Sequence, residues 1–293
     1  MVNTRIFIKF NPSSKEFFDE YGYIHYRVKS RSYLNKVNKC FEYYANNLPK
    51  KNQAFRNTDN KSRHIIDTFR DKASNTLSLY KETSVEEIIN HHIDKNKRYI
   101  FTHAKMSFKQ TDSNSDWYPH QDNGYKLEGD IRKGFAVFIC LEDMNEDNGC
   151  LQVYPSSNKL GMLEHERIIE DPTSGDNQFK IVDLPVGFEP LSIIAEKGDI
   201  LILSCNTIHQ SLSSRSESQR LALISEIEEF NTIKLDDYGK SPILFSGDFS
   251  FKEVLTLMAM SSLNKQKIWN IIKRNQNLAR LVRKIRYKKP KKI

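Results

Sequence analysis

Apolar spacing along the chain has two textures. Over the first hundred residues, apolar positions recur every three to four residues in several runs, the period of a helix with one buried face. Residues 13–28, SSKEFFDEYGYIHYRV, open on a Ser able to cap a helix. Glu16 stands at the offset of a capping box, and the run breaks at Gly22. IHYRV then alternates as a strand does. Residues 32–48 and 83–95 have helical spacing and plausible caps, whereas 49–63 is polar, unpatterned and expected to be a loop. His91 and His92 fall on a polar helix, where solvated side chains are expected. From Arg98 the period shortens. YIFTHAKMSFK, GFAVFICLE, GCLQVYP, LSIIAEKGDILILS and RLALISEIEEF read as short strands parted by Gly, Asn, Asp and Pro clusters. Strands in succession without intervening helices predict an antiparallel barrel or jelly roll. Beyond Phe230 the chain turns polar and then helical from Phe251 to about Tyr287.

The expected architecture is therefore mainly β with flanking helices. A helical part (1–97) precedes a jelly-roll core (98–235), and a helical, basic extension follows (236–293). Composition changes this picture little. The 293 residues suffice for one large domain, and 11% aromatic residues supply core volume that the modest 38% hydrophobic content would otherwise lack. No run of 18 apolar residues exists to span a bilayer, and the opening residues lack the order of a signal peptide. Cys40, Cys140, Cys150 and Cys205 form no C-x-x-C pair and read as buried, reduced thiols, so a cytoplasmic protein is expected.

Charge is more informative. Residues 264–293 hold twelve Lys or Arg and no acidic residue; removing these from the 45 basic and 37 acidic side chains leaves 33 against 37. The +8 net charge thus belongs to the tail, and the acidic body offers no nucleic-acid groove. Within 265–286, seven aliphatic residues fall near helical spacing with Lys and Arg between them and Trp269 beside them. That pattern fits a terminal helix packed on the body, or one lying on the anionic inner face of a membrane.

The candidate chemistry begins at WYPHQDNGY, residues 117–125, where His120 and Asp122 stand two apart at a strand end. A divalent iron used for oxygen chemistry needs two histidines and one carboxylate on one face, with the remaining positions open. His209, closing GDILILSCNTIH, is a suitable distant partner. Arg220, eleven residues on, opens the next strand. If those two strands are hairpin neighbours, its guanidinium can take the far carboxylate of 2-oxoglutarate, with Ser211 adding a hydroxyl contact or merely capping a turn.

Together WYPHQDNGY, FICLEDMNEDNGCLQVYPSSNK and EKGDILILSCNTIHQSLSSRSESQRLAL resemble the phytanoyl-CoA dioxygenase family of Fe(II)- and 2-oxoglutarate-dependent oxygenases, from about residue 16 to 230. In the second block the family's Pro-Gly-Ser-His turn reads PSSN, so its Gly and His are absent. The resemblance implies a jelly-roll (double-stranded β-helix, cupin-like) core. It assigns iron to His120, Asp122 and His209, and the cosubstrate carboxylate to Arg220 with Ser211. His103 falls where some relatives bind the cosubstrate through Gln, and Phe138 where an aromatic residue lines its pocket; either also reads as an ordinary strand or core residue. Trp117 and Asn123 flank the ligand pair and are candidates for the substrate pocket. The implied reaction consumes dioxygen and 2-oxoglutarate, releases succinate and carbon dioxide, and hydroxylates a C–H bond of a small organic or lipid-linked substrate. Asp122 disfavours halogenation, since related halogenases lack that carboxylate. The alternatives are a non-catalytic module of the same fold and a zinc hydrolase using the same three ligands. Oligomeric state is not legible.

Overall fold

The computed structural model describes residues 6–7, 11–47, 53–56, 62–66, 68–70, 72–113, 116–125, 133–168, 178–229 and 243–246. At 53–56, 62–66, 70, 72, 102–103 and 243–246 it describes the backbone alone. The helical extension expected from Phe251, including its basic amphipathic stretch, lies outside the described residues.

The N-terminal part opens with β1 (Ile6–Phe7) and α1 (Pro12–Tyr21), then β2 (Tyr23–Tyr26) and α2 (Arg31–Asn47). The hairpin β3 (Gln53–Arg56) and β4 (Ser62–Ile66) follows, and then α3 (Thr76–Tyr80) and α4 (Thr83–His92). Helix α1 starts earlier than its apolar pattern suggests. Asn11, not Ser13, is the cap: its side chain accepts from Ser14 N at 2.9 Å while Ser14 Oγ accepts from Asn11 N at 3.0 Å. Pro12 fits the first helical turn, where no N–H partner is needed. Gly22 ends the helix at φ +76°, and a Cβ there would meet Thr207 Oγ1 at 2.3 Å.

The segment 49–63 is not simply a loop. Its alternation is too short to read alone, yet β3 and β4 pair with each other, and β4 then pairs with β5 (Tyr99–Lys109). The solvated reading of His92 is also overturned. It is 7% exposed, and its Nε2 meets Tyr26 Oη at 2.8 Å, because α4 turns that face toward β2. His91 Nε2 lies 2.9 Å from Asn11 O, at the start of α1.

The rest of the chain supplies β6 (Trp117–His120), β7 (Gly134–Cys140), β8 (Leu151–Val153), the hairpin β9 (His165–Ile168) and β10 (Gln178–Ile181), and β11 (Leu191–Ser192). It ends in β12 (Ile200–Ser204), β13 (His209–Ser211), β14 (Arg220–Glu229) and β15 (Ile243–Ser246). The large sheet runs β1-β2-β12-β7-β14-β5-β4-β3, with β15 also on β5; the small one runs β11-β8-β13-β6. The run LSIIAEKGDILILS thus divides between the sheets, and the region expected to form a separate extension contributes β15 to the large one.

Alternation sorts the large sheet's side chains onto two faces. One face, with Ile24, Tyr26, Phe101, Met106, Val137, Ile139, Ile202 and Leu223, packs under α2, α3 and α4 in the main core. The other turns Ala136, Phe138, Leu201, Leu203 and Ile224 toward Leu151 and Val153 of the small sheet. Two facing sheets, antiparallel except for the β1–β2 pair, form the double-stranded β-helix around that second core. None of the four cysteines forms a disulfide, and all are buried. Among the described residues no helix is long and apolar enough to cross a membrane.

Candidate active site

His120 closes β6, and Asp122 opens the one-turn 3-10 helix Asp122–Tyr125, so the pair straddles a strand end rather than sharing a strand. Gln121 between them is fully buried and fixes the turn. Its Nε2 donates to Gly161 O at 2.8 Å and to Asn206 O at 2.7 Å, and its Oε1 accepts from Leu163 N at 2.9 Å. The Gln121 backbone N–H donates to His165 Nε2 at 3.0 Å. Gly124 admits that imidazole: a Cβ there would come within 2.4 Å of the His165 ring. Neither Gln121 nor His165 stood out in the sequence, where a Gln between two ligands and a His on a polar strand carry no pattern.

His209 opens β13 directly opposite His120, and the two rings lie 4.2 Å apart, centroid to centroid. One ligand atom from each of His120, Asp122 and His209 lies within 4.8 Å of the others. His209 Nε2 and Asp122 Oδ1 are 3.7 Å apart, too far for a hydrogen bond. Each imidazole is oriented from behind: His120 Nδ1 lies 2.6 Å from Tyr118 O, and His209 Nδ1 lies 3.0 Å from Thr207 O. A carbonyl only accepts, so Nδ1 carries the hydrogen and Nε2 keeps its lone pair for a metal. Burial lowers the pKa of His120 to about 3 and that of His209 to about 4, which keeps both rings neutral at neutral pH. Two neutral, oriented imidazoles and one carboxylate on a single face suit a divalent ion with open positions, iron(II) above all. The residues present fit that group.

Arg220 is reached by a different route from the hairpin considered above. β13 pairs with β6 and β8 in the small sheet, whereas β14 pairs with β5 and β7 in the large one. The two strands meet face to face across the sandwich, where Arg220 NH1 donates to Ser211 Oγ at 2.9 Å and to Gly149 O at 2.6 Å. NH2 donates to Ser107 Oγ at 3.2 Å. Only 5% exposed, the guanidinium has no carboxylate partner among the described residues, and burial lowers its pKa to about 10. Ser211 donates to Gly149 O at 2.9 Å and accepts from Arg220 and from the fully buried Lys109 Nζ at 3.0 Å. Lys109, Ser107 and Gly149 escaped the sequence reading because each looks like an ordinary strand or turn residue until the sheets close.

The remaining candidates divide. Phe138 is 8% exposed on the inner face, opposite Ile224 and Leu201. Trp117 is partnered with Ser211 across β6–β13, beside the arginine. Asn123 is engaged in structure, since its Nδ2 donates to Asn206 Oδ1 at 2.6 Å and its N–H to Cys205 O at 3.2 Å. His103 pairs with Glu226 across β5–β14, and its side chain lies outside the described part.

Fold and site define a double-stranded β-helix protein bearing two histidines and a carboxylate at one strand end. The phytanoyl-CoA dioxygenase (PhyH) family model matches residues 19–222, and the chain belongs to that family. It is 33% identical over 127 residues to phytanoyl-CoA dioxygenase 1 of Oryza sativa subsp. japonica; the match covers 43% of this chain and 44% of that protein. The chain thus spans less than half the length of that relative. Among solved structures it is similar to the epimerase SnoN in complex with Fe3+, alpha ketoglutarate and nogalamycin RO. That likeness has a TM-score of 0.60 at 13% identity, over 74% of this chain and 82% of SnoN. It is likewise similar to EctD from S. alaskensis with 2-oxoglutarate and 5-hydroxyectoine, with a TM-score of 0.59 at 14% identity, over 76% and 77% of the two chains. At such identities the likeness is one of fold.

Proposed function

We propose that the protein is an Fe(II)- and 2-oxoglutarate-dependent dioxygenase that hydroxylates an unactivated C–H bond of a small organic or lipid-linked substrate, releasing succinate and carbon dioxide. The observation that carries this reading is the pairing of the His120–Asp122–His209 cluster with Arg220, a buried guanidinium without a counter-ion among the described residues. A zinc hydrolase has no use for such a cation, and a module that only holds metal has no use for a cosubstrate anchor. Family membership, the Fe3+ and alpha ketoglutarate named with SnoN, and the 2-oxoglutarate named with EctD support it.

His120, Asp122 and His209 would hold iron(II), which when bound supplies the activation of dioxygen coupled to oxidative decarboxylation of the cosubstrate. The chain's own part is ligation, orientation and shielding. Tyr118 O and Thr207 O fix the imidazole tautomers. The Arg220 guanidinium would hold the distal carboxylate through charge-assisted hydrogen bonds, which would set the cosubstrate's direction. Phe138, Leu201 and Ile224 keep water from the inner face. Asp122 would supply the carboxylate ligand whose absence opens a halide position, which favours hydroxylation over halogenation.

The test is anaerobic addition of Fe(II) and 2-oxoglutarate. A weak visible charge-transfer band is expected, and it is lost in His120→Ala and Asp122→Ala. No band in the intact protein at saturating concentrations overturns the reading. A substrate screen read by succinate release then identifies the compound oxidised.

A further inference from the structure

Strand β5 carries a second cation on its inner face. Ser107 and Lys109 point inward, since they reach Arg220 and Ser211. By the two-residue period Lys105 shares that face, about 7 Å along the strand from Ser107. Its cross-strand partner is Ile224, a member of the inner cluster with Phe138 and Leu201. Lys105 is half-buried on the face that looks toward the small sheet, where His209 is paired with His120 and with Val153 of the same inner cluster. It makes no hydrogen bond or ion pair with any described residue, not even with Glu226, its diagonal neighbour on β14. A partly desolvated ammonium on the inner face, without a counter-ion among the described residues, is a site for an anion.

We propose that Lys105 is an anion-recognition residue of this site and binds a carboxylate beside the His120–Asp122–His209 cluster, separate from the one that Arg220 takes. This rests on the oxygenase reading above. Two molecules can bring that carboxylate: 2-oxoglutarate, through the group next to its keto carbon, or the primary substrate, which would then be a carboxylic acid. The ammonium forms charge-assisted hydrogen bonds to the anion and closes the inner face on that side.

The full-length chain loaded with Ni(II), which binds without turnover, is titrated calorimetrically with 2-oxoglutarate, and the resulting complex with octanoate as a probe carboxylate. Lys105→Met removes the charge at similar length, Lys105→Arg restores it, and circular dichroism confirms the fold of each. Weakening of either ligand by about tenfold or more in Lys105→Met, with recovery in Lys105→Arg, is the expected result. Loss of 2-oxoglutarate affinity identifies the cosubstrate as the source, and loss of octanoate alone identifies the substrate. Unchanged 2-oxoglutarate affinity together with octanoate binding that is absent or equal in both proteins overturns the proposal. Arg220→Met separates the two readings. If that variant binds 2-oxoglutarate as the parent protein does, or the parent binds none, the oxygenase reading fails and takes this inference with it. If Arg220→Met loses the cosubstrate while Lys105→Met loses neither ligand, only the role of Lys105 falls.

Discussion

Replacing Arg220 with Met should separate stability from cosubstrate binding. In the fold, the guanidinium serves three acceptors, two of which keep another donor after its removal. Gly149 O retains the Ser211 hydroxyl at 2.9 Å, and Ser211 Oγ retains Lys109 Nζ at 3.0 Å. Ser107 Oγ loses its contact at 3.2 Å. One weakened hydroxyl costs about 1 kcal/mol. Removal of a buried cation that has no counter-ion among the described residues offsets part of that, so the stability change should stay within about 2 kcal/mol. Binding should behave otherwise. Removing one partner of a buried, hydrogen-bonded charge pair costs about 2–5 kcal/mol, or roughly 30- to 5,000-fold in Kd for 2-oxoglutarate. Arg220→Lys keeps the charge without the fork and should fall between. Calorimetric titration of the Ni(II) protein gives the affinity, and a urea midpoint gives the stability. A folded Arg220→Met with a Kd within about threefold of the parent's would show that the cosubstrate is anchored elsewhere.

Asp122→Ala removes one of three ligands and should leave the protein folded but below about one-tenth of its Fe(II) or Ni(II) content after desalting, read by plasma emission; near-stoichiometric metal would exclude Asp122 as a ligand. Gly149→Ala places a Cβ at 2.4 Å from Leu212 O on a backbone at φ +70° and should cost about 1–3 kcal/mol by chemical denaturation. It should also weaken 2-oxoglutarate, because Gly149 O steers Arg220; a neutral effect on both would contradict the packing described. His92 tests the pH response. Burial lowers its pKa to about 3, so between about pH 6.5 and 3 the unfolded chain holds the extra proton and stability falls as pH falls. In that window His92→Gln should flatten the plot of urea-derived stability against pH by up to about 1.4 kcal/mol per unit; an unchanged slope refutes the buried neutral state.

How much of this was legible beforehand follows from the range of the forces involved. The 3.6- and 2-residue periods are local, and they located α2, β5, β7 and β14 within a residue or two, whereas the expected end of α4 fell three residues late and β12 was read as one run with β11. Short segments under weak local preference were lost, as with β3 and β4, whose pairing depends on β5. The cap of α1 was misplaced because Ser13 and Asn11 are equally good caps, and only the seat of Pro12 chooses between them.

The chemistry divides in the same way. His120, Asp122, His209 and Arg220 were nameable because their residue types and spacings repeat a pattern that ligand chemistry imposes. Their arrangement was decided elsewhere. His209 and Arg220 lie on strands of opposite sheets, and only sandwich closure brings Ser211 to 2.9 Å from the guanidinium. Closure likewise buries Lys109 against Ser211 and leaves Lys105 on the inner face beside Ile224. A lysine on an alternating strand reads as solvent-facing until the second sheet covers it, because burial and the missing counter-ion are properties of the assembled sheets and of no local segment.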